Sequence, residues 1–112
     1  MKKIKTLKKN YEFKNVLSKG RFYVGKYVIA YIQKNNKNEN FFGVAVSTKI
    51  GKATKRNRIK RVIRECYRLN QARLKKGFNI VFLYKKDSKF EDIKFSNVII
   101  DINEIFDRAN MV

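Results

Sequence analysis

The stretch from Lys49 to Arg64 constrains this chain more than any other. Eight of its sixteen residues are basic and none is acidic. From Arg56 onward the basic residues interleave with Ile59, Val62 and Ile63 at helical spacing. At about 100° per residue, Ile59, Val62, Ile63, Cys66 and Leu69 fall on one stripe. Asn57, Arg61, Arg64 and Arg68 fall opposite, with Lys60 beside them and Arg56 and Arg58 at the two edges. Such a helix must bury one face and hold a cationic ridge outward. Glu65 is the only acid between Lys49 and Asp87, so the usual acidic dilution is missing. Like charges at i,i+3 and i,i+4 repel, and a bound polyanion would remove that cost. The plain alternative is a solvated helix face. In a chain of net charge +19 the pattern points to a nucleic acid.

The charge is unevenly placed. Of 28 basic and nine acidic residues, only three basic ones but six acidic ones lie in 87–112. That leaves 25 basic and three acidic residues before position 87, so the C-terminal piece reads as scaffold turned away from the anionic partner. A chain of 112 residues fits one domain spanning 1–112. No apolar run of about 20 residues suggests a membrane span, and no signal peptide is evident, which places the chain in the cytoplasm. Cys66 is the only cysteine and there is no histidine. These absences remove intrachain disulfides, His-ligated zinc and Ser–His or Cys–His nucleophiles, and argue against a self-contained enzyme.

Local signals order the elements. Met1–Lys9 reads as a flexible basic arm. Asn10 can cap a short helix over Tyr11–Leu17, with Phe13, Val16 and Leu17 apolar and Gly20 at its end. Phe22–Gln33 is aromatic and β-branched and reads as strand, with Gly25-Lys26 as a possible break. Lys34–Asn40 is a polar turn, and Phe41–Ser47 is a second strand that would form a hairpin with the first. Thr54 is a candidate cap for a helix from about Lys55 to Lys75, stopped by Gly77. Phe78–Tyr84 is almost wholly apolar and suggests a central strand. Ser88-Lys89-Phe90-Glu91 matches a capping box, and Phe95, Val98, Ile99, Ile102, Ile105 and Phe106 follow at helical spacing.

Three smaller features have both a plain and a functional reading. Tyr27, Ile29 and Tyr31 share one face of a strand, and Val28, Ala30 and Ile32 the other. Aromatics beside the basic helix could stack bases, or they could be core. Cys66 lies on the apolar stripe and reads as a buried thiol. Glu91 with Asp92, or Asp101 with Glu104, could be drawn as a metal pair, but supporting ligands are missing.

Lys49-Ile50-Gly51, then Ala53, then Arg56-Asn57-Arg58-Ile59-Lys60-Arg61-Val62-Ile63-Arg64-Glu65 resembles the signature of the bacterial ribonuclease P protein subunit. Leu7–Phe13, Gly43–Ser47 and Phe78–Leu83 resemble the flanking pieces of that family, and the likeness runs from about Ile4 to Arg108. It implies an α+β sandwich of order α-β-β-β-α-β-α, ribosomal-protein-S5-domain-2-like, with a left-handed βαβ crossover at the basic helix. It implies an RNA-binding subunit without catalytic residues of its own. The partners implied are the catalytic RNA, which cleaves with Mg²⁺, and precursor tRNA, whose 5′ leader is removed. No protein partner, no membrane and no protein-bound cofactor is implied. The RNA-binding set carried over is Lys49, Lys52, Arg56, Asn57, Arg58, Lys60, Arg61, Arg64 and Arg68. Phe13, Leu17 and Tyr31 would line a cleft for the single-stranded leader, with Leu17 where a cleft aromatic can occur in the family.

Overall fold

A computed structural model describes residues 3–112. Its elements are α1 (Asn10–Lys19), β1 (Arg21–Val24), β2 (Val28–Lys34), β3 (Phe41–Ala45), α2 (Ala53–Asn70), β4 (Phe78–Tyr84) and α3 (Phe95–Arg108). The order is the α-β-β-β-α-β-α of the resemblance, and the class is α+β. The four strands form one sheet in the order β1-β2-β4-β3. β1 and β2 are an antiparallel hairpin that turns at Gly25-Lys26-Tyr27. The expected hairpin between Phe22–Gln33 and Phe41–Ser47 does not form. β4 inserts between β2 and β3, antiparallel to the first and parallel to the second. The reason lies in its apolar run, which needs partners on both edges and cover on both faces. α2 makes the crossover from β3 to β4, consistent with the left-handed βαβ unit that the resemblance implies.

Alternation along the strands builds two unequal cores. Val28, Ala30, Ile32, Phe42, Ile80, Phe82 and Tyr84 face α2 and α3, meeting Ile59, Ile63, Cys66, Tyr67, Val98, Ile102, Ile105 and Phe106. Each Val, Ile or Phe among them removed from water is worth about 1.5–3 kcal/mol. The opposite face of the sheet carries a smaller cluster of Leu7, Val16 and Val81, with Phe13, Leu17, Tyr31, Phe41 and Leu83 packed on it. The buried stripe of α2 is turned from the expected one toward Tyr67 and Asn70, and Leu69 is 54% exposed. Tyr27 lies in the turn before β2 and packs on the larger core, so it does not share a face with Tyr31.

The arm is not free where it is described. Thr6 bridges Phe42 in parallel, Leu7 N–H donates to the Phe42 carbonyl at 2.9 Å, and Phe42 N–H donates to the Lys5 carbonyl at 2.8 Å. Leu7 is buried, which fastens the segment along the outer edge of β3. For residues 1 and 2 the expected flexible arm lies outside the described residues. α1 starts at Asn10 itself, because the Glu12 carboxylate accepts the backbone N–H of Lys9 at 3.1 Å and does the capping. Thr54 is likewise inside α2, whose cap is Lys52. Ser88–Glu91 opens no long helix. A 3₁₀ turn over Phe90–Asp92 intervenes, and α3 begins at Phe95.

Asp101 joins α3 to the hairpin. It is buried, and its carboxylate accepts N–H bonds from Lys26 at 2.7 Å, Tyr27 at 2.9 Å and Val28 at 3.1 Å. A Cβ at Gly25 would stand 2.5 Å from that carboxylate, so the turn needs glycine there. Asp101 is therefore engaged with backbone and is not half of a metal pair. Asp101→Ala strands three N–H groups near the core and should lower the stability seen in urea denaturation by about 3 kcal/mol or more. An unchanged midpoint would show that the turn is held by other interactions.

Burial pushes the Cys66 thiol and the Tyr67 phenol each up to about 12. Unfolded, they ionise near their ordinary values of about 8.5 and 10. Below the lower of those values both groups are neutral in both states, and the stability they contribute is fully present. As pH climbs toward 12 the unfolded chain sheds protons that the folded chain keeps, so stability falls. The Cys66→Ala, Tyr67→Phe double variant should show a shallower alkaline decline in urea midpoint than the parent. Identical declines would contradict the burial of these two groups.

Candidate nucleic-acid interface

The ridge of α2 begins in a short, ordered loop. Ser47 Oγ accepts from Lys49 N–H at 3.2 Å and starts a 3₁₀ turn over Thr48–Ile50. Arg56 Nη1 donates to the Gly51 carbonyl at 2.7 Å and ties the loop to the first turn of α2. Lys49, Lys52, Asn57, Arg58, Arg61 and Arg64 are exposed, and Lys60 is half-buried beside them. Among the described residues, none of Arg58, Lys60, Arg61 and Arg64 has an acidic partner within ion-pair distance. The exposed guanidinium groups stand opposite buried Ile59 and Ile63, so the large core fixes which way they point.

Arg68 differs from the rest of the expected set. Its Nε donates to Glu65 at 3.1 Å and its Nη2 makes a second, very close bond with the same carboxylate. These bonds hold the Glu65 carboxyl below its usual range. Arg68 thus directs much of its charge within the helix. Arg56 is a loop latch as well as a cation. The free cationic surface is Lys49, Lys52, Arg58, Lys60, Arg61 and Arg64, with Asn57 among them.

Phe13, Leu17 and Tyr31 come together on the other face of the sheet. Phe13 lies on Gly43. A Cβ there would come within 2.6 Å of the ring, so only glycine lets α1 sit this close. All three are half-buried, packed on Val16 and Val81. α1 covers only part of this face. Beyond it, Ile29, Leu83 and Ala45 form one row across three strands. They floor an open, mostly apolar groove of about 470 Å³, walled by Val46, Ser47, Lys85 and Lys86. Ser47 belongs both to this wall and to the cap of the 3₁₀ turn over Thr48–Ile50, so the groove adjoins the loop that leads into α2.

Sequence reasoning does not single out the groove floor. Its signal is present in the period-2 alternation that places Ile29 beside Tyr31 and Leu83 beside Val81. What stays hidden is that β3 joins β4, which brings Ala45 and Ser47 to the same spot. Among the described residues no three acidic or cysteine side chains gather as metal ligands. Nor is any helix among them long and apolar enough to cross a membrane.

Known proteins share this arrangement. The solved RNase P protein of Thermotoga maritima superposes with a TM-score of 0.83 at 30% identity, over 93% of this chain and 96% of that one. The Staphylococcus aureus RNase P protein matches in fold, with a TM-score of 0.84 at 24% identity over 97% and 98% of the two chains. In sequence, the chain is 38% identical over 109 residues to the ribonuclease P protein component of Fusobacterium nucleatum, covering 96% of this chain and 98% of the relative. It is 43% identical over 93 residues to that of Clostridioides difficile, covering 80% and 82%. With the Ribonuclease P family model matching residues 1–110 as well, the chain belongs to the ribonuclease P protein family.

Proposed function

We propose that this chain is the protein subunit of a tRNA-processing ribonucleoprotein, in which a catalytic RNA removes the 5′ leader of precursor tRNA. The α2 ridge holds the catalytic RNA. The single-stranded leader runs over the opposite sheet face, past Phe13, Leu17 and Tyr31 and along the groove at Ile29, Leu83 and Ala45. One observation carries this reading. The apolar groove adjoins, at Ser47, the 3₁₀ turn and loop that lead into the cationic helix α2. A module that only held folded RNA would use the ridge and have no use for the groove.

The mechanism is electrostatic. Two RNA strands must come close, and a cationic protein between them lowers their repulsion. Neutralising phosphates releases counterions, so binding weakens steeply with salt. Apolar and aromatic side chains meet base faces, which all bases present, so variable leaders are tolerated. The protein's residues do not fit a metal centre. No ligand cluster forms among the described residues, and Asp101 is bound to backbone. In this reading Mg²⁺ acts through the RNA, as the family resemblance implies.

Purified protein with Mg²⁺ should leave precursor tRNA intact, and adding a cognate catalytic RNA should produce cleavage at the mature 5′ end. Robust cleavage by RNA-free protein would overturn the reading.

The Arg61→Ala, Arg64→Ala double variant should bind the catalytic RNA more weakly. Its log K against log salt slope should shrink by about 0.7–0.9 for each phosphate that is no longer neutralised. Arg68→Ala should change the slope less, since Glu65 already holds that side chain. Both sites lie off the core, so the thermal melt should be retained. An unaltered slope in the double variant would show that RNA binds elsewhere.

A further inference from the structure

Phe22 is 63% exposed although it stands in a strand. It belongs to neither apolar cluster, so the fold gains little from its ring. Register places it directly across from Tyr31. Paired residues of antiparallel strands point to the same face. The two rings lie 5.9 Å apart between centroids and are inclined by 39°. Tyr31 is held from one side by the cluster under α1 and meets Phe22 on the other. The same row continues through Val81 to Gly43, where Phe13 sits. Phe13, Tyr31 and Phe22 therefore lie along a line that crosses the strands on the face with the groove. Neighbouring strands are about 4.8 Å apart, so Phe22 carries the line one strand spacing beyond Tyr31, to the free edge of the sheet.

An exposed aromatic on an edge strand invites unwanted association and needs a reason. A ring supported by a second ring offers a flat, sequence-tolerant surface to an unpaired base. We propose that Phe22 and Tyr31 form a two-ring platform on which a base of the leader stacks, which makes Phe22 a leader-binding residue at the sheet edge. This rests on the reading that the leader lies on this face.

The test uses holoenzyme assembled from the full chain and its catalytic RNA. Affinities for precursor and mature tRNA are measured for Phe22→Ala, Phe22→Leu, Phe22→Tyr and Tyr31→Leu, with a thermal melt and sedimentation of each protein. Loss of one base stack should weaken precursor binding by roughly five- to a hundredfold. That loss is expected for Phe22→Ala and Phe22→Leu, with mature tRNA unaffected and melts unchanged. Phe22→Tyr should restore precursor affinity. If Tyr31→Leu weakens precursor binding selectively and Phe22→Ala does not, the platform is wrong while the leader reading stands. If neither variant discriminates precursor from mature tRNA, the leader reading itself fails. Full affinity in Phe22→Leu would replace stacking with simple apolar packing and overturn the proposal. So would unchanged affinity accompanied by altered self-association, which would make Phe22 part of a protein–protein interface.

Discussion

The structure depends on the double pairing of β4. All seven of its residues pair with β2 on one edge, and five of them, Asn79 to Leu83, pair with β3 on the other. Ile80, Phe82 and Tyr84 anchor the large core against α2 and α3, while Val81 and Leu83 reach the smaller cluster under α1. Because β3 must lie parallel to β4, the chain between them has to cross over the sheet, and that crossing is α2. The direction of the cationic ridge is thus a consequence of strand pairing. The same pairing brings Ala45 and Ser47 beside Leu83 and forms the groove. Ridge and groove have different chemistry, but one strand positions both.

Much of this is legible in the residues, and the failures have physical causes. The periodicity of 59–66 reveals the buried side of α2 and the outward face of Arg61 and Arg64, because helical spacing determines direction locally. It errs at Leu69, where the last turns of α2 roll toward Tyr67 and Asn70 and so leave Leu69 in solvent. Strand existence is readable from apolar runs. Strand pairing is not, since nothing local in Phe41–Ala45 says that its neighbour lies after α2. Helix starts are misjudged wherever a side chain from within the helix does the capping, as Glu12 does for α1. Among the site residues, Phe13, Leu17 and Tyr31 do converge. Arg68 is held by Glu65, three residues away, a pairing that helical spacing permits but that only the side-chain bonds establish.

The two halves of the molecule divide the electrostatic work. Acidic residues concentrate in the C-terminal piece, where Asp101 is committed to the β1–β2 turn and Asp107 lies 3.9 Å from Arg73. This leaves the α2 ridge almost undiluted. In the absence of a polyanion, Arg58, Arg61 and Arg64 repel one another across single turns of helix. The large apolar face beneath them must hold that repulsion. Charge repulsion along the ridge and burial of Ile59 and Ile63 thus act on the same helix from opposite sides.

The two edges of the sheet are protected in different ways, and this bears on how the chain behaves while it is being made. β1 is a strand of only four residues and begins with an arginine, which limits pairing with another chain. β3 is apolar and is shielded by Lys5–Leu7 instead. That segment leaves the ribosome before its seat at Phe42, which follows some 35 residues later. Until then Leu7 has nothing to cover, and afterwards β3 has no other cover among the described residues. A protein lacking the segment through Leu7 would keep its helices and its ridge. It would also present a bare strand edge, and its failure would be visible as insolubility rather than as lost affinity for RNA.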